Sequence, residues 1–392
     1  MTNMVLEYGL TDDQKDLQQM VREFVAKELT WEKMREFDER SEIPMEAYKK
    51  AADMGLTTLL IPEKFGGQGL GQVELAIMGE ELGYGPAGGF AATVLANTLA
   101  YEPIEKYGND DQKARYAKFL VDGGFAAFAL TEANAGSDVG ALTTTAVKEG
   151  DEYVINGTKA FITNGGVANV YTLFAVTTPN AGHSGLSCFM VERDRPGVSI
   201  GTKEDKIGIR TSDTSEVYFD NVRIPASNLI GEENKGFKMA MTIFDCTRPA
   251  AVAAGCVGGM RFLIDQCLDY ARTRVTFGQE ILNHQEIQFK LARMEMLAHV
   301  ARATVYRAAE MLDQGLVDTA ISSAAKVFAS DTLMESAIEA IQIFGGNGYS
   351  NEYPINAIFR DAKIFQIFEG TNEICHLTVI RAMVKDAIMS GR

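Results

Sequence analysis

Histidine, cysteine and glycine spacing narrows the chemistry open to this 392-residue chain. Its four histidines, His183, His284, His299 and His376, never fall at H-x-x-x-H or H-E-x-x-H spacing, so neither a zinc site nor a Ser/His triad is indicated. The five cysteines, Cys188, Cys246, Cys256, Cys267 and Cys375, are odd in number and widely spaced, and they include no C-x-x-C pair. They read as buried reduced thiols rather than a disulfide framework or metal centre. No metal is expected, and carboxylates or an organic cofactor must carry the chemistry. Two glycine clusters, Gly66-Gly67-Gln68-Gly69-Leu70-Gly71 and Gly345-Gly346-Asn347-Gly348, do not fit G-x-G-x-x-G between a strand and a helix, which argues against a Rossmann NAD site. The segment 128–141, FALTEANAGSDVGA, packs hydroxyl, acidic and small residues into a turn. Such a turn can aim backbone N–H groups at a flavin or a phosphate, although the same composition suits an ordinary connecting turn.

The elements that must position these residues follow from periodicity. Thr11 and Gln14 stand in capping-box spacing ahead of Leu17, Met20, Val21, Phe24 and Val25, which predicts an amphipathic helix over 11–29. Helical patterns continue from Ala91 to about Asp122, after a glycine-rich loop at Phe65 to Gly71. From about Phe125 to Gly231 the runs EYVI, TKAFI, VYTLFAV, LSCFMV and EVYFDNVRI are β-branched and aromatic, which predicts strands. Asn156-Gly157 between EYVI and TKAFI predicts a two-residue hairpin. After Gly236 helices return, with long stretches near 284–314 and 318–343, enough for a four-helix bundle. The fold expected is α+β, with an N-terminal helical domain over 1–123, a middle antiparallel β-domain over 124–233 and a C-terminal helical bundle over 234–392.

Composition excludes several partners. A net charge of -16 repels phosphate backbones and anionic headgroups, so nucleic acid is not expected. With 46% hydrophobic and 23% charged residues and no run of about 18 apolar residues, the chain reads as globular without membrane insertion. An N-terminus lacking a basic or apolar leader suggests a cytoplasmic protein or a mature organellar matrix form.

Segment 128–141, ITNGG (162–166), DCTRP (245–249), RTRVTFG (272–278), QIFGGNGYSNEYP (342–354) and RDAKIFQIFEGTNEI (360–374), in this order, resemble the acyl-CoA dehydrogenase family. The likeness runs from the first helix to about Val384 and is greatest to the short- and medium-chain and butyryl-CoA dehydrogenases. It implies an FAD-dependent oxidoreductase of fatty-acid β-oxidation, assembled as a homotetramer that is a dimer of dimers. Such an enzyme passes electrons to electron-transferring flavoprotein. Glu369 would be the base that takes the α-proton of an acyl-CoA thioester, while the β-hydrogen leaves as hydride to flavin N5. The thioester carbonyl would accept hydrogen bonds from a flavin ribityl hydroxyl and from the backbone N–H of Glu369.

By the same resemblance, Phe128, Leu130, Thr131, Gly136 and Ser137 would line the flavin and its pyrophosphate, with Ser137 also touching CoA. Phe161 and Thr163 would flank the isoalloxazine. Arg274, Thr276, Phe277, Gln285, Gln342 and Gly346 would reach the FAD of a neighbouring subunit, and Thr371 and Glu373 would add contacts from the last segment. Asp245, Arg248 and Gly370 would meet the substrate, although Asp245 and Arg248 also read as a surface pair at a helix start. The acyl pocket would be lined by residues 86–96, Ala250, Ala251 and Phe368. Some relatives carry the base on another helix, where this chain has Thr247, which cannot abstract a proton. Phe161 stands where many relatives have Trp, and Ala357 where they have Lys or Arg, the latter a matter of surface chemistry. An acyl-CoA oxidase, an enoyl-CoA-reducing enzyme or a non-catalytic electron-transfer subunit of the same fold are the alternatives.

Overall fold

The computed structural model describes residues 9–389. Six helices open the chain: α1 (Asp12–Glu28), α2 (Trp31–Arg40), α3 (Met45–Asp53), α4 (Gln72–Gly83), α5 (Gly88–Tyr107) and α6 (Asp110–Val121). The Thr11–Gln14 capping box closes the first turn of α1 in both directions, and Asn109 with Gln112 does the same for α6.

The β-domain follows: β1 (Ala126–Ala129), β2 (Thr145–Glu149), β3 (Glu152–Thr163), β4 (Val170–Val176), β5 (Leu186–Glu192), β6 (Val198–Lys203), β7 (Thr214–Pro225) and β8 (Leu229–Ile230). Its order is β6-β7-β3-β2-β4-β5-β8, with β1 also on β4. Pairing is antiparallel except for β1 with β4 and the single β2–β4 contact. β4 is buried along nearly its whole length, as a strand covered on both faces must be.

The hairpin expected at Asn156-Gly157 does not form there. These residues lie inside β3, and the turn comes earlier, at Gly150 and Asp151 between β2 and β3. Asn156-Gly157 marks instead a register shift against β7, where Gly157 takes φ +152 and Asn221 opposite takes φ +50. Asn156 Oδ1 accepts the Asn221 N–H at 2.8 Å. A tolerance for positive φ serves a bulge as well as a hairpin turn, and local sequence does not separate the two.

The C-terminal region holds α7 (Gly236–Thr247), a π-helical segment (Arg248–Ala253), α8 (Ala254–Thr273), a small β9–β10 hairpin (Val275–Thr276 and Gln279–Glu280), α9 (Gln285–Asp313), α10 (Thr319–Phe344), α11 (Ile355–Phe365) and α12 (Asn372–Met389). The helical run Gly236–Thr273 is long and apolar enough to cross a membrane, yet 72% of its most apolar window is buried inside the protein, as befits a core helix. α4 joins this bundle. A Cβ at Gly83 would meet the Gly255 carbonyl oxygen at 2.3 Å, so the two helices cross in near backbone contact. Glu80 on α4 is buried and accepts from Arg261 on α8 and from Arg302 and Tyr306 on α9, which satisfies the carboxylate within the interface.

Candidate active site

Glu369 occupies the corner between α11 and α12. α11 ends in a turn closed by Phe368 N–H to the Ile364 carbonyl at 3.0 Å, and Asn372 N–H reaches back to the Gln366 carbonyl at 3.0 Å. Between them Glu369 and Gly370 both take left-handed backbone, at φ +51 and +94. Glycine adopts this freely, whereas a glutamate there is strained and must be held by its surroundings.

Three long-range contacts do the holding. Thr247 Oγ1 donates to Glu369 Oε2 at 2.8 Å, Arg248 Nε donates to the Glu369 carbonyl at 2.8 Å, and Lys326 Nζ donates to the Gly370 carbonyl at 2.9 Å. Arg248 opens the π-helical segment, where the widened turn and Pro249 interrupt the α-helical ladder. Arg248 Nη1 reaches Asp245 Oδ1 at 3.3 Å, and Thr319 Oγ1 donates to Asp245 Oδ2 at 2.7 Å. Burial pushes the Glu369 carboxyl above its usual range, and the Thr247 hydrogen bond with the charges of Arg248 and Lys326 partly offsets this. Asp245 is raised for the same reason, with Thr319 and Arg248 opposing. The Glu369 N–H donates to no partner among the described residues. The corner therefore offers a basic carboxylate and a free hydrogen-bond donor from one residue.

The 128–141 segment is linked to this corner through the Phe244 ring. Phe128 on β1 meets Phe244 on α7 at 5.5 Å, and the Arg248 guanidinium lies over Phe244 at 5.4 Å. The turn is braced from below. Lys159 Nζ on β3 donates to the Leu130 carbonyl at 2.9 Å and to Glu132 Oε1 at 2.8 Å, and Ala160 N–H donates to the Thr131 carbonyl at 2.9 Å. Glu132 also accepts from both the N–H and Oγ1 of Thr143 and from Thr144 N–H. Beyond the brace, Gly136 and Ser137 are exposed, their N–H groups donate to no described residue, and a Cβ on Gly136 would meet nothing within 4 Å. Phe161 is 60% exposed at φ +57, a strained aromatic turned outward beside the half-buried Thr163.

A second group lies at one end of the C-terminal bundle and, among the described residues, shares no hydrogen bond or ring contact with the Glu369 corner. Arg274 ends α8 and its carbonyl accepts Ile281 N–H, Thr276 Oγ1 is 3.3 Å from His284 Nε2, and Gln285 starts α9. Tyr270 stacks on Phe344 at 4.1 Å, which brings the ends of α8 and α10, and with them Gln342 and Gly346, to the same face. Phe277, at φ +52, is 96% exposed. Thr371 and Glu373 belong instead to the Glu369 corner, where Thr371 Oγ1 accepts Ile374 N–H at the start of α12 and Glu373 is exposed.

These features fit FAD. The unused N–H groups of the 136–137 turn suit anionic or carbonyl oxygens, the exposed Phe161 suits an isoalloxazine face, and the exposed Arg274 suits a phosphate.

One alternative reading is set aside and one sequence expectation is corrected. Asp245 and Arg248 are both buried and share the core of the site, so they are no surface pair. Ala357 is also buried, at 3% exposure, so the departure at that position concerns packing of α11 rather than surface chemistry. Sequence reasoning passed over Lys326, Asn372 and the Glu132–Lys159 pair. The lone lysine in the apolar run ISSAAKVFAS was the available signal for Lys326.

Sequence profiles of the acyl-CoA dehydrogenase N-terminal, middle and C-terminal domains match residues 11–124, 127–222 and 234–384. The chain is 43% identical to cyclohexane-1-carbonyl-CoA dehydrogenase of Geobacter metallireducens, over 89% of this chain and 92% of that protein. It is 39% identical to an acyl-CoA dehydrogenase of Bacillus subtilis, over 96% of this chain and 99% of the relative. Its structure superposes on butyryl-CoA dehydrogenase from Megasphaera elsdenii with a TM-score of 0.92 at 39% identity, covering 96% of this chain and 100% of the other.

Proposed function

Because the chain belongs to the acyl-CoA dehydrogenase family of FAD-dependent oxidoreductases, we propose that it converts an acyl-CoA thioester to the 2-enoyl-CoA, with Glu369 removing the α-proton. FAD, when bound, supplies the acceptor for the β-hydride. The observation that carries this reading is the Glu369 corner itself. Its carboxylate is oriented by Thr247 and made more basic by burial, while its own N–H remains free to donate to the thioester oxygen. Stabilising the enolate oxygen acidifies the α-proton, and a raised carboxylate pKa narrows the remaining gap. Phe128, Leu130, Thr131, Gly136, Ser137, Phe161 and Thr163 would hold the flavin over this corner.

The acyl group is read from positions 86–96, 250, 251 and 368, which the family resemblance assigns to the acyl pocket. Phe90, Ala91, Ala250 and Ala251 are buried in one apolar cluster with half-buried Leu95 and Phe368 at its margin, and Phe90 packs on Phe24 at 5.9 Å. No Lys or Arg occurs at positions 86–96, 250, 251 or 368. A second carboxylate would stay unpaired there, so a neutral short, medium, branched or cyclic acyl group is favoured over a glutaryl one. Electrons would pass on to electron-transferring flavoprotein. Exposed apolar side chains on α12 (Leu377, Ile380, Met383, Val384) and α9 (Phe289, Met296, Val300) support assembly into the homotetramer, in which Arg274 and Gln342 would reach a neighbour's FAD.

The test is anaerobic flavin bleaching with butyryl-, octanoyl-, cyclohexanecarbonyl- and glutaryl-CoA. At least one of the first three should bleach the wild type, and Glu369→Gln should keep FAD and thioester binding while losing about 10²–10⁴-fold or more in rate. Near-normal reduction by that variant would move the base elsewhere, and a clear preference for glutaryl-CoA would refute the acyl assignment.

A further inference from the structure

Lys326 is a buried charge that the chemistry above does not use. It sits on α10 with 0% of its surface exposed and forms no ion pair among the described residues. Its ammonium is satisfied by neutral oxygens, the Gly370 carbonyl at 2.9 Å and Asn372 Oδ1 at 2.8 Å. Asn372 is fixed in turn by Ser330, 3.0 Å from its Nδ2, and by Asp331 at 2.7 Å. Arg248 meanwhile holds the carbonyl one residue earlier. Two cations from different helices thus grip two successive carbonyls, and these belong to the two residues bent into left-handed backbone.

We propose that Lys326 is a positioning residue for the reaction: it fixes the Glu369–Gly370 corner through the Gly370 carbonyl and sets an uncompensated positive charge beside the base. The inference rests on Glu369 being that base. A lysine buried merely for stability is expected to pair with a carboxylate, because desolvating an ammonium costs several kcal/mol. This one is spent on peptide geometry, and the carboxylate among its main electrostatic neighbours is Glu369. Arg248 and Asp245 face the corner from the α7 side, Cys256 from α8, Asp331 from α10 and Cys375 from α12, while Lys363 and His376 act on the exposed Glu373. Of the two cations, Arg248 is bound to Asp245, and Lys326 has no ion pair among the described residues. Burial pulls the Lys326 ammonium down from its ordinary value, and Arg248 pulls it down further, while Cys375, Cys256 and Glu369 oppose.

The variants are Lys326→Met, which removes charge and donor, and Lys326→Gln, which keeps a shorter donor without the charge. Both are compared as FAD-loaded enzymes with wild type and Glu369→Gln, using the most active of butyryl-, octanoyl- and cyclohexanecarbonyl-CoA. Lys326→Met should retain FAD and thioester affinity but reduce its flavin about 10²-fold more slowly, the scale on which a misplaced catalytic group lowers a rate. The acid limb of its pH–rate profile should move to higher pH, since loss of a neighbouring cation favours the protonated carboxyl. Lys326→Gln should recover part of the rate but keep the displaced acid limb. An unmoved acid limb in both variants, or failure of both to retain FAD, would overturn the proposal and leave the lysine a folding role. Normal reduction by Glu369→Gln would instead remove the base, and the lysine's role with it.

Discussion

Replacing Lys159 by methionine should loosen the turn at 130–144 and weaken the hold on FAD. Lys159 is fully buried and its partner Glu132 nearly so, 2.8 Å apart. Burial raises the Glu132 carboxyl, but the charge and hydrogen bond of Lys159, with Thr143 and Thr144, bring it down to about 2 from 4.5. That difference corresponds to about 3 kcal/mol in favour of charged Glu132, while burial pulls the Lys159 ammonium down to about 8 from 10.5 and opposes it. Removing one partner of a buried pair nevertheless typically costs about 3–5 kcal/mol, because the other charge is left buried without compensation. If the lost energy must be recovered on cofactor binding, FAD affinity falls by as much as about 10²-fold. Fluorescence titration of the deflavo-protein with FAD measures this, and the temperature of flavin release should fall with it. Replacing both partners, Lys159→Met with Glu132→Leu, should restore most of the stability because no buried charge is left alone. The pH dependence has a definite sign. Glu132 has a depressed folded-state pKa, so its contribution is complete above about 4.5 and is lost as pH falls toward 2. Wild type should shed flavin across that window, and Lys159→Met less steeply. Wild-type FAD affinity and release temperature in the single variant would refute the reasoning.

Three further substitutions probe the corner and its supports. Thr247→Val deletes the 2.8 Å hydrogen bond to Glu369, so the acid limb of flavin reduction should move up and the rate fall by about 10-fold, readable by stopped-flow absorbance. Gly370→Ala places a methyl group at φ +94 and 2.8 Å from Arg248 Nη2; reduction should slow while FAD content, read from the visible spectrum, is retained. Asp361 is buried, accepts Ile209 N–H and is raised by burial to about 7. Its folded state therefore holds a proton that the unfolded chain has released, and stability should decline as pH rises from 3.8 to about 7. Asp361→Asn should flatten that decline in thermal melts recorded across this range, and an identical decline in both proteins would count against it.

Much of the scaffold was legible because its signals are local. The Thr11–Gln14 box and the apolar spacing behind it lie within one stretch of α1 and need no distant partner to be read. The β-branched runs of the middle region likewise announce strands, whichever neighbours they find. Asn156-Gly157 was misread because its message is a permitted φ, and whether that permits a turn or a bulge depends on β7, more than sixty residues away. Ala357 was misassigned because burial is a property of the packed bundle.

The sequence by itself determined the order of helices and strands, the absence of histidine or cysteine metal spacing, and the motifs that mark Glu369 and the 128–141 turn. Tertiary structure alone decided that Thr247, 122 residues away along the chain, would touch the Glu369 carboxylate, and that Lys326 would grip Gly370 across 44. It also decided the bent backbone at positions 369 and 370 and the burial that raises the base. Periodicity and propensity act over a few residues, whereas desolvation, charge and strain are set by whatever the fold brings alongside.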